Sequence, residues 1–218
     1  MRGEEPPETQ RRRATVMFAD LTGFTALVDR IGDERAYGVV TRCLALLDEI
    51  ARRHGASVDK YLGDCIMAVF GVPQALEQGP RAAVNAAIEM VRRVVEWNAQ
   101  QGIDPPIGVH IGINSGSLIR GDVSGPVLRE FAVMGNAVNV AARLKDLAPD
   151  GKVWVGPDTW RETRHDFEYR PLESFAVKGK SFEGAHELLS TRERIYGSRP
   201  REVSAPLVGR DADRKSVV

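Results

Sequence analysis

Two aspartates stand where a carboxylate is costly. Asp20 closes the apolar run from Thr15 to Ala19, and Asp64 sits in a Gly63-Asp64 turn just before a second apolar run, Cys65 to Phe70. A carboxylate at the mouth of a core needs a cation to meet it. If the hairpin around Asp64 lies beside the first strand, both carboxylates reach one edge of the sheet. Two anions held close raise each other's pKa unless a cation neutralises them. Hard oxygen donors of this kind suit Mg²⁺ or Mn²⁺, which keep waters and phosphate oxygens among their ligands. Either aspartate alone reads as readily as an exposed turn residue capping its neighbour. The pair, each tied to its own apolar strand, points to metal and phosphate chemistry.

Two further features fit that chemistry. Gly23 lets the backbone turn after Asp20, and a helix starting near Phe24 aims its free N–H groups at any phosphate held there. In "FAVMGNAVNVAARL", Phe131 to Leu144, Asn139 and Arg143 are four residues apart and share a helix face. A guanidinium presented this way suits a phosphoryl group gaining charge in a transition state. A single surface arginine on a helix is the plainer alternative.

These side chains must be carried by a folded frame, and the chain supplies one. Of 218 residues, 43% are hydrophobic and 28% charged, enough for one core-forming domain with tails. Lys+Arg and Asp+Glu both number 30, and this balance argues against a general nucleic-acid binder. No apolar run reaches the length of a membrane span, and the charged N-terminus is unlike a signal peptide, so a cytoplasmic protein is expected. Cys43 and Cys65 lack metal-ligand spacing and read as reduced thiols.

Along the chain, residues 1–12 read as a disordered arm and Ala14 to Ala19 as a strand. Helical spacing follows from Phe24 to Ile31, then from Asp33 to a stop at Gly55. A hairpin spans Ala56 to Phe70, a third helix Arg81 to Asn98, and a strand the "PIGVHIGINSG" segment. A short helix over Ala137 to Leu147 precedes strands near Val153 and between Ser174 and Leu189. The order β-α-α-β-β-α-β with a small α/β extension predicts an α+β, ferredoxin-like fold, its sheet covered by helices on one face. Residues 191–218 read as a linker.

The segments "TVMFADLTGFT", "VDKYLGDCIMAVFG", "IGINSG", "VMGNAVNVAARL" and "VKGK" together resemble the catalytic domain of class III nucleotidyl cyclases, over roughly residues 13–190. The resemblance implies that Asp20 and Asp64, with the Leu21 carbonyl, hold two Mg²⁺ or Mn²⁺ ions. It implies that backbone N–H groups at Phe24 and Thr25 receive phosphate oxygens and that Lys60 lies against the adenine ring. Asn139 would orient the ribose and Arg143 would stabilise the α-phosphate, with Lys178 or Lys180 of "VKGK" adding a phosphate contact. The family builds its sites between head-to-tail domains, so a homodimer converting ATP to 3′,5′-cyclic AMP and pyrophosphate is implied, with neither nucleic acid nor membrane as partner. One position departs from the pattern: Ala132 stands where the family usually places Asp or Thr to read the adenine amino group. That departure supports an alternative, a weak or inactive cyclase-like module that binds nucleotide or a partner. A third reading is a half-site subunit for a different cyclase chain. "APLVGRDAD", Ala205 to Asp213, resembles the opening of a C-terminal ATPase module that such a domain could regulate, although no GxxxxGK[ST] loop follows it.

Overall fold

The computed structural model describes residues 10–124, 129–173, 175–177 and 180–192, with side chains except at 10, 120–133 and 175–182. Its elements are β1 (Gln10–Thr22), α1 (Phe24–Ile31), α2 (Asp33–Arg53), β2 (Ala56–Leu62), β3 (Cys65–Phe70), α3 (Gly79–Gln101), β4 (Gly108–Ser124), β5 (Arg129–Met134), α4 (Asn136–Leu147), β6 (Val153–Val155), α5 (Pro157–Thr163), β7 (Phe167–Pro171), β8 (Phe175–Val177), β9 (Lys180–Phe182) and β10 (His186–Thr191). The β-α-α-β-β-α-β core is the α+β order expected from the sequence. The main sheet runs β2-β3-β1-β4-β6-β10-β7, with β5 paired onto β4. β4 and β6 are parallel, while β1 lies antiparallel to both β3 and β4.

β1 and β3 are apolar on both faces because both faces are covered. Side chains of a strand alternate between faces. Met17, Ala19 and Leu21 pack with Ile66, Ala68 and Phe70 under α2 and α3. Ala14, Val16 and Phe18 join Cys65, Met67 and Val69 under Ala137 and Ala141 of α4. Helices on one face only is therefore too narrow an expectation. Helices α2 and α3 take one side, and α4 takes the other.

The ends also differ from the expectation. Gln10, Arg11 and Arg12 belong to β1, not to an arm, because their backbone pairs with Arg120, Ile119 and Leu118 of β4. Thr191 still pairs with Phe167, so β10 runs one residue into the expected linker. The remainder of the arm and residues 193–218 lie outside the described residues. Helix α5 is a finding of the structure alone, since seven residues give too few turns for a periodic signal. Both cysteines are buried and unpaired. Among the described residues, no helix is long and apolar enough to cross a membrane.

The C-terminal strands carry a buried charge that makes stability depend on pH. Glu187 of β10 meets Arg170 Nη2 at 2.5 Å and Lys152 Nζ at 3.1 Å, with its side chain 4% exposed. Burial pushes its carboxyl up, but hydrogen bonds from Arg170 and Lys152 and their charges outweigh that and leave it below its ordinary value. A depressed carboxylate stabilises the fold above the unfolded-state pKa, and the contribution fades as pH falls through the folded one. Glu187→Gln is expected to cost about 1.5–3 kcal/mol at neutral pH, as for a charged hydrogen bond. Urea melts of both proteins should converge as the pH drops below about 4; a pH-independent difference would exclude this origin.

Candidate active site

The alternation that builds β1 also aims its last acidic residue. Ala14, Val16 and Phe18 face α4, so Asp20, two residues on, faces α4 as well. There it meets Lys145 Nζ at 3.0 Å and His110 Nε2 at 3.2 Å. His110 is directly opposite Asp20 in the β1–β4 register. Its Nδ1 lies 2.7 Å from the carbonyl of Ala148. Both ring nitrogens thus face acceptors, an arrangement that the doubly protonated ring satisfies. The hydrogen bond to Asp20 raises the His110 pKa against the opposing effect of burial. Burial pushes the Asp20 carboxyl up, but hydrogen bonds from His110 and Lys145 prevail and hold it below the usual carboxylate value.

Asp64 arrives at the same edge through the backbone. The β2–β3 turn is pinned where the Leu21 N–H donates to the Asp64 carbonyl at 3.1 Å. Next to Asp64 in the chain lies Cys65, paired with Asp20 across the ladder. Its thiol is pushed up to about 12, first by burial and then by the nearby charges, Asp20 and Asp64 among them. The two aspartates therefore meet at one sheet edge, as the sequence leads one to expect. Their surroundings differ: Asp20 is ion-paired, whereas the Asp64 carboxylate has no hydrogen bond or ion pair among the described residues.

Close to Asp20 the chain turns at Gly23, whose φ of 81° lies in the left-handed region that favours glycine. Helix α1 begins at Phe24 with no side-chain cap, so the N–H groups of Phe24 and Thr25 are free of one at the end of β1. The Leu21 side chain is buried in the core, which leaves only its backbone for the site.

Helix α4 is seated by the "IGINSG" segment. A Cβ on Gly112 would stand 2.2 Å from the Ala141 carbonyl oxygen and 2.3 Å from the Lys145 nitrogen, and one on Gly116 would stand 3.0 Å from the Ala137 Cβ. The helix backbone therefore rests directly on β4. Ala137, Ala141 and Lys145 form the stripe facing the sheet. Asn139 and Arg143 are offset from it by roughly 160° at about 100° per residue. Asn139 is exposed and Arg143 half-exposed. Neither has a polar partner among the described residues. Thus Asn139 and Arg143 share a face as expected, but that face points away from the aspartates.

Lys60 lies on the edge strand β2, exposed, with its ammonium 3.3 Å from Asp59. It is not brought to the aspartates. Ala132 pairs with Gly121 on the β4–β5 hairpin. Lys178 lies outside the described residues. Sequence reasoning misses His110 and Lys145. Both carry a signal: His110 is two residues before Gly112 on the same strand face, and Lys145 extends the Ala137–Ala141 spacing by one turn.

The donor set can be tested against a divalent ion. Among the described residues, no group of three or more His, Cys, Asp or Glu side chains is arranged to hold a metal. Two carboxylates and backbone carbonyls give a partial, all-oxygen set. That fits an ion such as Mg²⁺, which fills its shell with waters and substrate oxygens. It does not fit a structural zinc.

The mostly antiparallel sheet thus carries two carboxylates at the end of its central strands and a helix laid across it on glycines. The adenylate and guanylate cyclase catalytic domain model matches residues 7–190, and the chain belongs to that family. It is 29% identical over 167 residues to an adenylate cyclase of Mycobacterium tuberculosis, covering 77% of this chain and 37% of that protein. The chain thus spans well under half the length of that curated relative. Among solved structures it superposes on the adenylyl cyclase CyaB from P. aeruginosa with a TM-score of 0.78, at 29% identity over 85% of this chain and 98% of that one. It also superposes on the guanylate cyclase domain of RhGC from Catenaria anguillulae in complex with GTP, with a TM-score of 0.76, at 25% identity over 84% of this chain and 100% of that one.

Proposed function

We propose that the chain is an adenylyl cyclase domain that converts ATP to 3′,5′-cyclic AMP and pyrophosphate at sites shared between two copies of itself. The observation that carries this reading is the orientation of α4. Its inner face meets Asp20, and its outer face offers Asn139 and Arg143 to something outside the chain. One copy then supplies Asp20, Asp64 and the α1 N-terminus, and the other supplies Lys60, Asn139 and Arg143. A two-fold arrangement makes two such sites.

In this reading Asp20, Asp64 and the Leu21 carbonyl would hold two Mg²⁺ or Mn²⁺ ions, which would supply charge for the triphosphate and activation of the ribose 3′-hydroxyl. The N–H groups of Phe24 and Thr25 bind phosphate oxygens at the helix N-terminus. Asn139 holds the ribose so that O3′ lies in line with the α-phosphate. As the 3′-hydroxyl loses its proton to solvent, the O3′–P bond forms and the bond to pyrophosphate breaks, Arg143 stabilises the charge on the phosphoryl oxygens. Lys178 adds a phosphate contact.

The choice of ATP rests on Lys60 and on relatives named adenylate cyclase. Ala132 favours a second reading, a weakly active module, because alanine offers no hydrogen bond to the base. The deciding assay measures kcat/KM for ATP and GTP in Mg²⁺ and in Mn²⁺. Cyclic AMP from ATP is the expected product; no cyclic product from either nucleotide would favour the module. Ala132→Asp is expected to raise the ATP:GTP ratio by up to about tenfold, the effect of one recovered hydrogen bond of about 0.5–1.5 kcal/mol. An unchanged ratio would place base recognition elsewhere.

A further inference from the structure

We propose that Lys145 is a displaceable counter-cation that holds Asp20 in the absence of nucleotide and competes with a divalent ion for it. The inference rests on the reading of Asp20 as a metal ligand and adds a residue that sets how readily that ligand is available.

Three observations carry it. Lys145 Nζ is 3.0 Å from Asp20 Oδ2, and the two side chains are only 16% and 18% exposed, so the contact is largely screened from water. Lys145 cannot drift away with its helix, because its backbone nitrogen is pressed against Gly112 of β4. The ammonium also has somewhere to go. It lies 2.7 Å from Asp146, whose side chain is 63% exposed. It can therefore release Asp20 and remain paired at the surface. A long flexible stem bearing a compact charge is suited to such an exchange, which a planar guanidinium held in a fork is not.

The consequence is coupling. A bare divalent ion must compete with Lys145 for Asp20. A nucleotide–metal complex brings its own phosphate oxygens to complete the ion's shell, so the exchange is more favourable once substrate arrives. If Lys145 occupies Asp20 in about nine-tenths of molecules, apparent metal affinity falls about tenfold, since only the free fraction binds. A purely structural role is the alternative: Lys145 lies in the last turn of α4, where a cation complements the helix dipole.

The experiment is Mn²⁺ binding to the nucleotide-free protein, followed by the loss of the free-ion electron paramagnetic resonance signal. Lys145→Gln is expected to tighten binding by about tenfold, and Lys145→Arg to weaken it, because a forked guanidinium releases the carboxylate less readily than an ammonium. Asp146→Asn, at an exposed position, is expected to weaken it, because the ammonium loses its second partner. In the Lys145→Gln background the same change should have a much smaller effect. Unchanged affinity in Lys145→Gln, or an equal effect of Asp146→Asn in both backgrounds, overturns the proposal. Asp20→Asn separates the two levels. If it abolishes Mn²⁺ binding while Lys145→Gln changes nothing, the metal assignment stands and the counter-cation falls. If it leaves Mn²⁺ binding intact, the metal assignment falls and the proposal with it.

Discussion

Asp64→Ala is expected to abolish cyclic nucleotide formation while the protein keeps its fold. The loss should exceed the ~10²–10³ usual for removing one transition-state donor, because it removes one of the two carboxylates that would hold the proposed ions. Stability should hardly change. The Asp64 carboxylate has no hydrogen bond or ion pair among the described residues, and it is the backbone carbonyl that pins the turn to Leu21. Alanine keeps that carbonyl, so the melting curve should shift by no more than a typical surface substitution, about 0.5 kcal/mol. Asp20→Ala is the less clean test. It removes the carboxylate that His110 and Lys145 share; Lys145 keeps Asp146, but the half-buried His110 loses its only carboxylate partner among the described residues, which lowers stability as well as activity. Turnover in Asp64→Ala within a few-fold of wild type, in Mg²⁺ and in Mn²⁺, would remove Asp64 from the chemistry.

Much of this frame is legible in the sequence because its signals are local. The apolar runs around Met17 and Val69 mark strands buried on both faces, and the spacing of Val40, Cys43, Leu47 and Ile50 marks the buried stripe of α2. The tight turn at Gly23 and the shared face of Asn139 and Arg143 follow from local rules too. Relative placement is what local rules do not carry. That His110 stands opposite Asp20 depends on the register between strands whose paired residues lie 90 positions apart. That Lys145 reaches Asp20 depends on α4 crossing β4 at Gly112, a close approach that no periodicity encodes. The one-face expectation fails for a related reason. An apolar run in a strand says that both faces are covered, but not that α4, rather than a second sheet, covers the other face of β1 and β3.

Mixing two inactive proteins is expected to restore activity, and this tests the shared site most directly. Asp64→Ala lacks a metal ligand, and Arg143→Ala lacks the transition-state donor, with an expected loss of about 10²–10³. Neither side chain has a polar partner among the described residues, so both variants should fold and pair like the wild type. In a dimer of one Asp64→Ala copy and one Arg143→Ala copy, one site collects both defects and the other collects neither. Random pairing of equal amounts makes about half the dimers mixed, each with one intact site of two, so about a quarter of wild-type activity should return. The orientation of α4 is the reason to expect this, because Arg143 points away from the aspartates of its own chain. A site built within one chain cannot be rescued in this way. Subunit exchange is checked independently by energy transfer between copies labelled with donor and acceptor dyes. If exchange occurs and the mixture stays as inactive as its parts, the two halves of the site are not shared between copies of this chain, and Arg143 must serve a different partner or none.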